Sequence, residues 1–190
     1  MLTFDDGFAS LMEHALPSLR RYRLPATVFV VSGTLTEAPV PVNWIRPPVV
    51  PPPATLTADQ ILEMVDSGIT IGSHTWEHRD MPEYSEEECL VDLRDSRERL
   101  EDLIHAPVTM LAYPFGRHAP HVRRAAERAG FELAYSLPDR RESVGQFALP
   151  RVGIYRGNTL TSFRVKSAGP YLKVRMSKPY ARFWPNRAPV

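Results

Sequence analysis

An α/β fold with a parallel sheet is predicted by three features of this 190-residue chain. Short β-rich runs recur along it, amphipathic stretches of helical period separate them, and glycine or proline marks most junctions. The first strand ends at Thr3-Phe4, and the second is the β-branched run ATVFVV at 26–31. Later strands are expected at Ile69-Thr70-Ile71, Met110-Leu111-Ala112 and Leu133-Ala134-Tyr135. Helices are expected between them at 11–22, 58–67, 86–104 and 120–129. Two of these carry a capping box, Thr57 with Gln60 and Ser85 with Glu88, and Gly68 and Gly130 act as stops. The 86–104 helix sets Leu90, Leu93, Leu100 and Leu103 on one side, an amphipathic face. Strict β, α alternation calls for parallel strands with crossover helices. Only five or six strands fit, short of the eight in a full barrel, which leaves an incomplete barrel or an open sheet. Residues 35–56 have no periodicity and hold seven of the 19 prolines, so they read as a long, stiff loop at the strand ends.

At 43% hydrophobic and 24% charged residues the chain has the composition of one globular domain. Its single cysteine, Cys89, excludes an internal disulfide framework. No run approaches the roughly 18 apolar residues of a membrane span, and no basic and apolar leader precedes Thr3; as written, the chain reads as cytoplasmic. A net charge of +1 leaves no electrostatic footprint for nucleic acid. The charge is uneven, however: residues 164–190 hold seven basic residues and no acid, while 1–163 hold 16 basic against 22 acidic. We therefore divide the chain into a main domain at 1–165 and a basic, aromatic tail or edge segment at 166–190, the latter expected to be irregular because of Gly169-Pro170, Lys178-Pro179, Trp184-Pro185 and Ala188-Pro189. That segment is suited to an anionic membrane or polymer, although an ordinary tail has the same composition.

Three strand ends carry chemistry. Thr3-Phe4-Asp5-Asp6-Gly7 sets two carboxylates where the first strand turns towards a helix; in isolation, Asp-Asp-Gly is an ordinary turn. His74-Thr75-Trp76-Glu77-His78 follows the third strand, with imidazoles at i and i+4, a spacing that on a helical turn faces both rings the same way. Glutamate does not directly follow the first histidine, so this is not the zincin pattern. Active sites of parallel α/β proteins form at this carboxyl edge. Two imidazoles and one carboxylate would leave coordination open for water and substrate, as in a catalytic zinc site. Ala112-Tyr113-Pro114-Phe115-Gly116 ends another strand and would offer a backbone N–H to an oxyanion and an aromatic wall to a sugar ring.

These segments resemble the NodB-type polysaccharide deacetylases, carbohydrate esterase family four. TFDDG at 3–7, HTWEH at 74–78 and AYPFG at 112–116 are similar to its first three motifs in order, and LPRVGI at 149–154 looks like a late strand. The resemblance implies a distorted, incomplete (β/α) barrel of about seven strands or fewer. It implies a metal-dependent hydrolase that removes acetyl groups from an N-acetylated polysaccharide or oligosaccharide, acting on a carbon–nitrogen bond that is not a peptide bond. Carried over by position, Asp5 looks like the catalytic base, and Asp6, His74 and His78 like the ligands of a divalent metal, zinc before cobalt or nickel. Phe115 would offer its backbone N–H to the oxyanion, Tyr113, Pro114 and Phe115 would line the substrate site, and Thr75 would support the ligands from behind.

Two departures matter. An arginine that orients the base often opens the third motif, and here Ala112 stands there; Arg151 is the substitute from another strand, with a structural salt bridge as its equal alternative. The family's late histidine, its usual general acid, has no counterpart after His121, so the acid is unassigned. His118 and His121 read as exposed, and His14 and His105 as structural. Asp5 follows only four residues, which leaves a late start or a fragment open; family precedent points to the cell envelope or outside. A non-catalytic carbohydrate-binding descendant is the alternative reading, and a phosphoesterase would need a second metal set or a phosphate loop that the sequence lacks.

Overall fold

The computed structural model describes residues 1–45, 47–138, 145–155 and 157–177. Among them six strands form one parallel sheet in sequence order: β1 (Leu2–Phe4), β2 (Ala26–Val30), β3 (Thr70–Ser73), β4 (Met110–Ala112), β5 (Leu133–Ser136) and β6 (Leu149–Pro150). The sheet curls into an incomplete α/β barrel, the fold class expected. Its open edges, β1 and β6, are bridged by a side chain: Arg151, just past β6, donates to Thr3 Oγ1 on β1 at 3.0 Å.

Helices α1 (Ser10–His14), α2 (Leu16–Tyr22), α3 (Ala58–Asp66), α4 (Glu86–Ile104) and α5 (Pro120–Arg128) cover the sheet. Both expected capping boxes form, Thr57 with Gln60 and Ser85 with Glu88. The stretch 11–22, expected as one helix, is two; Pro17 at the start of α2 supplies no N–H, and its ring crowds the preceding turn. The core lies between helices and sheet. β2 is buried along its whole length, and Leu19, Ile61, Met64, Leu93, Leu100 and Val122 from four helices join its Ala26, Val28 and Val30 in one core cluster. Leu103 completes the α4 stripe, partly buried.

The segment expected to be irregular from 166 instead contains the end of α6 (Leu160–Ser167) and a short α7 (Tyr171–Arg175), its Gly169-Pro170 falling between the two. Neither helix has a buried residue, and Leu160, Phe163, Val165 and Val174 are exposed. The rest of that segment, from 178, lies outside the described residues. No helix among those described is long and apolar enough to cross a membrane.

Candidate metal centre

Every sequence-predicted site residue lies at or just beyond the carboxyl end of a strand. β1 ends at Phe4, so Asp5 and Asp6 occupy the turn that follows. Adjacent side chains on a strand point to opposite faces, but Asp6 adopts φ 70° and Gly7 φ 64°, which breaks that alternation and lets both carboxylates serve one crevice. β3 ends at Ser73 and delivers His74, whose amide donates to Val30 O of β2 at 2.8 Å.

Asp6, His74 and His78 converge. One ligand atom from each lies within 4.8 Å of the others. His78 Nε2 stands 3.2 Å and His74 Nε2 3.7 Å from the same oxygen, Asp6 Oδ1. The two imidazoles do not meet through a helical turn, as their spacing suggested. Residues 74–78 form an irregular loop in which Thr75 has φ 70° and His78 φ 55°. Thr75 organises it: its hydroxyl accepts from the His78 amide at 3.0 Å, and its own amide donates to Ser73 Oγ at 3.1 Å. From α4, Asp92 Oδ1 accepts the Trp76 amide at 2.9 Å. Burial pushes the Asp92 carboxyl up to about 6, although that amide opposes the shift.

The protonation of His74 follows from its partners. Nδ1 lies 2.7 Å from Ala112 O, which can only accept, so Nδ1 carries the proton and Nε2 presents a lone pair towards Asp6. Burial lowers the His74 pKa from its ordinary value while Asp5 pulls it up, and burial prevails, favouring the neutral, ligating form. A carboxylate and two buried imidazoles facing one point are a donor set that fits a divalent cation of the zinc, cobalt or nickel kind.

Asp5 stands beside this cluster and is held differently. Arg151 grips it with both arms of its guanidinium, Nη1 to Oδ1 at 2.7 Å and Nη2 to Oδ2 at 2.8 Å. Burial raises the Asp5 pKa, but His74 and Arg151 outweigh it, and the carboxyl falls below its ordinary value. The Arg151 guanidinium also lies over Phe29 and Tyr135, 5.2 and 5.7 Å from their ring centroids, which fixes its plane. Ala112 fills the position where a motif arginine was sought, and its carbonyl serves His74 instead.

The third motif divides between surface and core. Phe115 is 45% exposed, and its ring meets His78 edge-on at 4.8 Å. It sits in a tight turn at φ 57°, followed by Gly116 at φ 67°, where a Cβ would come within 2.5 Å of Leu137. Tyr113 and Pro114 do not line a substrate site as expected. Tyr113 is 0% exposed and donates its hydroxyl to Phe147 O at 3.1 Å, and Pro114 is buried with it. The apolar surroundings of β4 draw both inward, leaving Phe115 as the aromatic surface of the motif. His121 donates to Tyr84 O, and His118 accepts from Arg123 and lies against Tyr113; both are half-buried rather than exposed, and structural in their contacts. His14 and His105 are on the surface.

One residue of the site was not foreseen. Trp44, in the middle of the proline-rich loop, is buried, donates its indole N–H to Asp6 Oδ1 at 3.0 Å, and stacks on His78.

Comparison with known proteins bears on the family and the fold. The polysaccharide deacetylase family model matches residues 1–134. The chain is 27% identical over 165 residues to YxkH of Bacillus subtilis (strain 168), whose name ascribes it to the polysaccharide deacetylases; the match covers 86% of this chain and 54% of that protein. It is 22% identical over 162 residues to the poly-beta-1,6-N-acetyl-D-glucosamine N-deacetylase of Staphylococcus aureus (strain MRSA252), covering 80% of this chain and 52% of that one. The chain thus spans about half the length of these relatives. Among solved structures, the Streptococcus pyogenes deacetylase PplD in complex with acetate superposes with a TM-score of 0.71 at 24% identity, over 88% of this chain and 69% of that one.

Proposed function

This chain belongs to the polysaccharide deacetylase family, and from that premise we propose that it hydrolyses acetyl groups from an acetylated glycan, an N-acetylated amino sugar polymer first, using a divalent cation held by Asp6, His74 and His78. The observation that carries the reading is the convergence of those three ligands beside a separately anchored carboxylate, Asp5. A bound cation of this class supplies Lewis acidity to the acetyl carbonyl and acidifies a water molecule at neutral pH.

The chain's own residues do the rest. Asp5 accepts the proton of the attacking water; its lowered pKa keeps it ionised at neutral pH, and the Arg151 fork fixes the direction of its oxygens. The Phe115 backbone N–H donates to the acetyl oxygen as negative charge develops on it. Asp5, once protonated, returns its proton to the departing amine, which fills the role left open by the absence of a late histidine. Acetate and a free amino sugar result. The Phe115 ring, half exposed beside His78, offers an apolar face to the sugar or the acetyl methyl.

An acetylated glycan of the cell envelope or outside is the substrate class implied, and the Staphylococcus aureus relative, named for an N-acetylglucosamine polymer, supports an amino sugar. A binding-only descendant would have no need of a guanidinium clamped on Asp5, so that pair supports turnover. Zinc-loaded protein assayed for acetate release on chitin-like oligomers, peptidoglycan and acetyl-xylan tests the proposal. Release from an N-acetylated glycan is expected, and stoichiometric zinc with no release from any of them would favour the binding module.

A further inference from the structure

The two imidazoles of the centre are held in different ways, and the difference assigns a role to the proline-rich loop. A ligating histidine ordinarily fixes its ring by donating its second nitrogen to an oxygen. His74 does so, with Nδ1 on Ala112 O. His78 does not: its Nδ1 is buried with no hydrogen-bond partner. What surrounds the His78 ring is aromatic. Trp44 lies almost parallel to it, 4.7 Å between centroids at 19°, while His74 and Phe115 each meet it edge-on at 4.8 Å. The same indole donates its N–H to Asp6 Oδ1, the oxygen that both His74 Nε2 and His78 Nε2 approach.

We infer that Trp44 is a positioning residue of the cation site, its N–H setting the Asp6 carboxylate and its ring face setting His78 in place of the missing hydrogen bond. This rests on the reading that Asp6, His74 and His78 hold a cation. Trp44 is only 7% exposed, too little to give a sugar a stacking platform, so its action is on the ligands rather than on substrate. Its loop is built to deliver it. Val40 N donates to Gly33 O, and Gly33 in turn donates to Trp76 O inside the histidine loop. No larger residue fits at Gly33, where a Cβ would lie 2.5 Å from Trp76 O. At the far end, Ala9 N donates to Ala54 O and Leu56 N to Gly7 O, tying the loop to the turn that carries Asp5 and Asp6. Seven prolines between Pro39 and Pro53 restrict the unbound loop, so little conformational freedom is lost in presenting the indole.

The test uses the full chain, stripped by chelation and titrated with zinc against a competing chromophoric chelator and with cobalt by visible absorption. Trp44→Phe keeps an aromatic face and loses the donor; it should weaken zinc binding about tenfold and shift the cobalt absorption band. Binding within twofold of the unaltered chain would overturn the inference, and so would weaker binding at an unchanged cobalt band, which is what general loosening of the loop would give. A second measurement needs no folded variant at this position. In the unaltered chain the indole N–H resonance of Trp44 should move when zinc is added, and an unmoved resonance at full occupancy would overturn the inference. Failure of the unaltered chain to bind zinc would overturn the metal reading itself, and this inference with it.

Discussion

Replacing Arg151 with methionine isolates the step in which Asp5 acts, because it removes the guanidinium and keeps an unbranched, apolar stem of similar reach. Arg151 makes two charge-assisted hydrogen bonds to Asp5, at 2.7 and 2.8 Å, each worth about 1.5–3 kcal/mol where water is excluded. Exclusion is incomplete: the Arg151 side chain is 13% exposed and that of Asp5 36%. Solvent screening therefore leaves less than half of the sum, about 2 kcal/mol. If that free energy holds Asp5 in its working direction, its loss slows turnover roughly 30-fold. The assay is acetate release from the best N-acetylated oligosaccharide under saturating zinc, with kcat and KM separated and zinc content measured on the same sample. The drop should fall on kcat, with KM and zinc nearly unchanged. Arg151→Lys should recover only part of it, since an ammonium cannot make the paired contact. A kcat within threefold of the unaltered chain, or a loss of zinc in step with activity, would refute the claim that Arg151 works through Asp5.

Further outcomes follow from the same site. Asp5→Asn should retain one equivalent of zinc by metal analysis and lose roughly a hundred- to ten-thousandfold in kcat, the usual range for a general base; full rate would remove Asp5 from the mechanism. His74→Ala should lose zinc and acetate release together, and retained stoichiometric zinc would place the ligands elsewhere. Asp92 gives a stability signature of definite sign. Its carboxyl is pushed up to about 6 from an ordinary 3.8, so the folded state binds the proton more tightly and stability falls as pH rises from about 4 to 6. In metal-free protein, Asp92→Asn should therefore gain on the unaltered chain across that window, by up to about 3 kcal/mol in urea unfolding. A difference that does not change with pH would show that the Asp92 charge costs the fold nothing.

The elements with local causes were legible in the sequence. Capping boxes, glycine stops and β-branched runs placed α3, α4 and β2 nearly residue by residue, since each depends on neighbours a few positions away. The ligand candidates were legible because each follows a strand, and parallel strands bring their carboxyl ends to one edge. What required three dimensions was less so. The reach of Arg151 depends on the curl that brings β6 back towards β1, which no periodicity encodes. Trp44 lay in a segment with no pattern beyond its prolines, and a lone tryptophan there carries no signal for a ligand contact 38 residues away. The meeting of His74 and His78 was expected from the wrong geometry, for their loop turns on left-handed residues rather than a helix. Asp6, Thr75, His78 and Phe115 all take positive φ, an arrangement that costs of order 1–2 kcal/mol per residue and is held by the surrounding contacts. Tyr113 belongs to the core because the chain stays buried from Leu111 through Pro114, past the end of β4, and surfaces only at Phe115.

Acetate release is proposed to depend on a cation held by Asp6, His74 and His78. Stepwise zinc titration of chelator-stripped protein, with acetate release followed on an N-acetylated oligosaccharide, tests it most directly. Activity should be absent in stripped protein, rise linearly with added zinc and level at one equivalent per chain. Activity that survives stripping, or zinc that still binds at one equivalent in a variant lacking both histidines, would overturn that reading.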